Sequence, residues 1–99
     1  MKSQTVPAEL IAVRNTILDI AAKRGTVRIA LFGSMARGDA GPDSDVDFLV
    51  QMEPGRSLVD MSGLKLDLEA LLQRPVDIVS ERSLVGALRD QILAEAVRL

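Results

Sequence analysis

Residues 33–50 read GSMARGDAGPDSDVDFLV, and the two ends of this stretch set the course of the chain. Gly33-Ser34 follows directly on Val27–Phe32 (VRIALF), an apolar and β-branched run that reads as a strand. Three glycines and a proline between residues 33 and 44 make the middle a loop with one helical turn. Asp45-Val46-Asp47 then opens a second run, Asp45–Met52 (DVDFLVQM), which turns wholly apolar as a central strand does. A connection this short lets the two strands run antiparallel. Gly33-Ser34 then lies beside Asp45 and Asp47.

On the N-terminal side, Val6–Arg24 reads as one amphipathic helix. Pro7 suits its first position, and Leu10, Val13, Ile17 and Ile20 recur at three- and four-residue spacing. Ile11 and Leu18 widen the stripe, and Gly25 supplies the stop. On the C-terminal side, Ser57 is placed to cap a helix, with Asp60 as its capping-box partner. Leu58, Met61, Leu64, Leu68 and Leu71 form that helix's expected buried stripe. Pro75 precedes a third strand, Val76–Val79 (VDIV), and Ser83 is placed to cap a last helix bearing Leu84, Leu88 and Ile92. No repeat, low-complexity tract or linker interrupts the chain. The order αβ(loop)βαβα predicts an α/β fold, a small mixed sheet with flanking helices in one domain over residues 1–99.

A right-handed helical crossover makes the third strand parallel to the second and carries Asp77 to the same end of the sheet. Asp45 and Asp47, two apart in a strand, project to one side with Cα atoms about 6.5 Å apart. Like charges this close call for a cation. Magnesium suits them, because it binds through one or two carboxylates together with substrate phosphates. Two such ions, about 3.5–4 Å apart, serve phosphoryl-type transfer. Gly33 lets backbone approach a phosphate closely, and Ser34 offers an N–H and a hydroxyl. Arg37 lies one turn further on, in reach of the same phosphates.

Composition narrows the chemistry. The chain has 99 residues, no cysteine and no histidine, so thiolate or imidazole metal sites and serine–histidine triads are excluded. Its net charge of −2 and two aromatic residues, Phe32 and Phe48, argue against direct nucleic-acid binding by phosphate neutralisation or base stacking. The N-terminus lacks the apolar core of a signal peptide, and no apolar run approaches membrane-spanning length, so a cytoplasmic protein is expected. Asp43, Asp45 and Asp47 imitate the start of a calcium loop. Phe48 and Pro54 stand where that loop requires glycine and glutamate. No glycine-lysine-serine or -threonine follows the first strand, which excludes a Walker-type phosphate loop. Asp39 and Asp43 read as solvated loop charges. An apolar content of 47% in so short a chain leaves surface to bury against a partner or in an oligomer.

Glycine-serine, ten residues, then Asp-x-Asp resembles the signature of the DNA polymerase β-like nucleotidyltransferase superfamily. GSMARG…SDVDFLV is similar to its minimal nucleotidyltransferase branch, VDIV to the strand bearing the third carboxylate, and LRDQILAEAVRL to the branch's C-terminal segment. The resemblance implies a polymerase β palm-like fold and transfer of a nucleoside monophosphate, AMP from ATP, onto a hydroxyl. It further implies Mg2+, two ions, held by Asp45, Asp47 and Asp77, which would be the catalytic set. Phosphates would be contacted by Gly33, Ser34 and Arg37. Members of this branch are commonly antitoxins that modify a HEPN-type toxin, so a toxin partner is implied as acceptor. The alternative is a non-catalytic antitoxin that inhibits its toxin by binding alone. Modification of a small acceptor such as an antibiotic fits less well, because no acceptor-binding domain is present.

Overall fold

The computed structural model describes residues 6–99; the N-terminal residues read above for a signal peptide lie in part outside them. The elements are α1 (Ala8–Ile11), α2 (Arg14–Lys23), β1 (Thr26–Phe32), α3 (Ser34–Arg37), β2 (Val46–Met52), α4 (Leu58–Leu72), β3 (Val76–Ser80), α5 (Gly86–Glu95) and β4 (Val97–Arg98). Four strands form one mixed sheet in the order β3-β2-β1-β4. β1 is antiparallel to both β2 and β4, and β3 is parallel to β2. The expected strand–loop–strand unit and the crossover through α4 are therefore both present.

Strand alternation divides the core between two faces. One face buries Ile29, Leu31, Val46, Phe48, Val50 and Val76 against Leu10, Ile17, Leu64 and Leu68 of the α1, α2 and α4 side. The other carries Ala30 and Leu49, covered by Leu84 and Ile92. Both faces of β2 are thus occupied, which is why its sequence runs apolar without alternation. No helix among the described residues is long and apolar enough to cross a membrane.

Several local expectations change. The N-terminal helix is two helices, because Val13 leaves helical geometry (φ −116°, ψ 15°) and its carbonyl starts a new ladder by accepting the Ile17 N–H. Leu10 and Ile17 stay on one stripe across the break, so periodicity does not register it. Ser57 and Asp60 do form a capping box on α4. Leu58, in that first turn, is 78% exposed; the stripe begins only at Met61. Ser83 caps no helix. It sits in a 3-10 turn, Glu81–Ser83, and donates its hydroxyl to the Ser80 carbonyl at 2.8 Å. Leu84 is buried, so the chain stays extended there and α5 starts only at Gly86, with Leu88 facing solvent. The chain also ends on a strand instead of a helix. β4 is two residues long, too short for any alternation to announce it, and exists by pairing with Ala30 and Leu31.

Candidate active site

The site forms where β1 ends and β2 and β3 begin. Phe32 is paired with Asp47 across β1 and β2, and Asp47 is paired with Asp77 across β2 and β3. Adjacent strands lie about 4.8 Å apart, so Asp47 and Asp77 are next neighbours in one row of the sheet. Both belong to the α5 face, since Val46, Phe48, Val76 and Ile78 on either side of them pack into the opposite core. Asp45 lies exposed immediately before β2, two residues from Asp47. The row of carboxylates expected from i, i+2 spacing and a parallel crossover is present at this sheet end.

Its electrostatics are unfavourable to charge. The Asp47 carboxyl is pushed above the usual carboxylate range, first by burial, then by repulsion from Asp77 and Asp45; Arg37 offsets part of this. Among the described residues, no three acidic side chains close into a ready-made metal cage. The donor chemistry nevertheless fits a hard divalent cation. The carboxylates are all-oxygen ligands, and the half-buried Asp47 gains from a neutralising charge beside it.

Gly33 shows why the turn needs glycine. It is buried at φ 73°, and a Cβ there would overlap the Asp47 carboxylate. Ser34 begins α3, and among the described residues its hydroxyl has no hydrogen-bond partner. Arg37 closes α3, but its guanidinium is not loose. Nε pairs with Asp39 at 3.0 Å, and Nη1 lies 3.3 Å from both carboxylate oxygens of Glu95. Asp39, read as a solvated loop charge, is therefore a partner of Arg37.

Sequence reasoning missed Glu95. It ends α5, and its Oε1 accepts the Gly33 N–H at 3.0 Å. One signal was available. An acid in the last turn of a helix opposes the helix macrodipole, and such a placement asks for a partner elsewhere. The site is an open rim: a cavity of about 620 Å3 lies at the far end of the sheet among Arg28, Arg82 and Arg89. Of the three carboxylates, Asp77 borders a groove of about 220 Å3 between α4 and β3, lined also by Leu58, Met61, Lys65 and Ile78. Of these groups, the geometry suits a reaction at a phosphate. Carboxylates for a cation face a glycine-serine turn and an arginine across one sheet end.

Comparison with known proteins points the same way. The sequence model of the nucleotidyltransferase domain family matches residues 14–99. The chain is 44% identical over 73 residues to the protein adenylyltransferase MntA of Thermococcus cleftensis, covering 74% of each. It superposes on the solved structure of a minimal nucleotidyltransferase with a TM-score of 0.85 and 50% identity, covering 98% of this chain and 99% of the other. A crystal structure of a toxin–antitoxin with AMP-PNP is similar at a TM-score of 0.73 and 26% identity, over 85% of this chain and 69% of that one.

Proposed function

The chain belongs to the nucleotidyltransferase domain family, and from that premise we propose that it moves AMP from ATP to a hydroxyl of a partner protein. The partner is a HEPN-type toxin, and the chain is the antitoxin that modifies it in the cytoplasm. The similarity to a protein adenylyltransferase and to a toxin–antitoxin structure bearing an ATP analogue supports this assignment. The single observation that carries it is the register Phe32–Asp47–Asp77, which lines up the carboxylates beside the Gly33-Ser34 turn.

Asp45, Asp47 and Asp77 would hold magnesium, as two ions. Bound there, the metal supplies charge neutralisation at the phosphates. The chain's own residues do the rest. Ser34 donates its N–H and hydroxyl to the phosphates that leave, with Arg37 behind them. Asp77, exposed on the edge strand β3, takes the proton of the incoming hydroxyl. The acceptor oxygen then bonds to the α-phosphorus, the bond to the bridging oxygen breaks, and pyrophosphate departs. The groove beside Asp77 leaves the acceptor side open.

Transfer of radiolabelled AMP to the protein encoded beside this one tests the reading. The double substitution Asp45→Asn with Asp47→Asn keeps side-chain size and removes two charges. We expect label transfer to vanish and the complex to persist. Protection from the toxin by this variant at equimolar dose would instead establish inhibition by binding alone.

A further inference from the structure

Glu95 is placed against its own helix. At the C-terminal end of α5 the macrodipole disfavours an acid, yet its side chain is only 16% exposed and is fully engaged. Oε1 accepts the buried Gly33 N–H at 3.0 Å, and both carboxylate oxygens lie 3.3 Å from Arg37 Nη1. Glu95 therefore joins the end of α5 to both ends of α3, across 62 and 58 residues of sequence.

We infer that Glu95 is a positioning residue of the nucleotide site, an inference that rests on the nucleotidyl-transfer reading. Gly33 takes φ 73°, ψ −155°, and the Asp47 carboxylate occupies the space where a side chain would stand. A turn of that shape needs its N–H satisfied, and a carboxylate acceptor does so more strongly than a neutral one. With the Gly33 N–H spent inside the protein, the Ser34 N–H and hydroxyl are the turn's donors left for a phosphate. Arg37 is held the same way. Glu95 and Asp39 take Nη1 and Nε, so Nη2 is the end of the fork that stays open among the described residues. Glu95 thus sets which donors of the Gly33–Arg37 segment face the ligand. An acid in this place could alternatively compete with the phosphates themselves. The two roles predict opposite signs.

Calorimetric titration with Mg–ATP, with melting curves and transfer kinetics on the same preparations, separates them. Positioning predicts that Glu95→Ala weakens Mg–ATP binding by about tenfold or more, since a charged hydrogen bond and its pair are both lost. Glu95→Gln, whose amide oxygen still accepts the Gly33 N–H, should lose about threefold, the worth of an ion pair open to solvent on its arginine side. Both should raise KM more than they lower kcat. In an Arg37→Ala background, Glu95→Gln should add nothing further, because the pair is already absent. Wild-type or tighter binding by Glu95→Ala would overturn the inference. Should that variant fail to fold, an equal Glu95→Gln effect with and without Arg37 would overturn it as well. A wild-type chain that binds no Mg–ATP would overturn the nucleotidyl-transfer reading itself.

Discussion

At Asp47, burial and neighbouring charge both act against the ionised carboxyl. The folded-state pKa is raised, so the native chain holds this proton more tightly than the unfolded chain does. Asp47 favours the fold most when protonated, and that contribution is lost as pH rises through its folded pKa. Asp47→Asn should therefore melt higher than wild type near neutral pH in chelator. The gain should shrink as the pH falls, and disappear once the carboxyl is protonated in both states. Melting curves between about pH 4 and pH 8 check this; equal midpoints throughout would show that Asp47 carries no strain. Gly33 is bound to the same residue through space: the glycine exists to make room for the carboxylate it stands beside.

Helix α4 is the crossover that carries β3 into register beside β2. Its start is written locally. Ser57 accepts the Val59 N–H at 3.2 Å, and Asp60 accepts the Ser57 N–H at 3.0 Å. Ser57→Ala should cost about 1 kcal/mol of stability, read as a lower midpoint in urea with an unchanged slope. Transfer activity of the folded protein should be unaffected, since the hydrogen bonds of the cap are made within the first turn of α4 and touch none of the carboxylates. Capping was legible because it involves residues three apart. The Ser83 cap was not, because Leu84 gains more from burial under the second face than the chain gains from starting a helix there.

At the scale of the whole molecule, Asp45, Asp47 and Asp77 come together from two strands at one sheet end, a repulsion that a cation–triphosphate pair would relieve. Mg–ATP should stabilise the fold with the logarithm of its excess over Kd, by about 2.7 kcal/mol at a hundredfold excess, read as a higher melting temperature. ATP with chelator should give little of this, because the anion alone meets Asp45, Asp47 and Asp77 unneutralised. A shift of the same size without the metal would remove the carboxylates from the ligand-binding role. The exposed apolar residues Leu58, Val59 and Leu66 on α4 lie on the same helix as the groove beside Asp77.

The strands around residues 33–50, the carboxylate pair at i and i+2, and the cap of α4 were all determined by residues close together along the chain. Neighbouring side chains and short turns act over a few residues, and such forces can be read in order. The third carboxylate was also legible, because a parallel crossover has only one handedness to take. What the tertiary structure alone decided are the contacts that close over long separations. These are β4 against β1 and the meeting of Glu95 with Gly33 and Arg37. Each depends on a surface that exists only once the sheet has formed, so no local pattern encodes it.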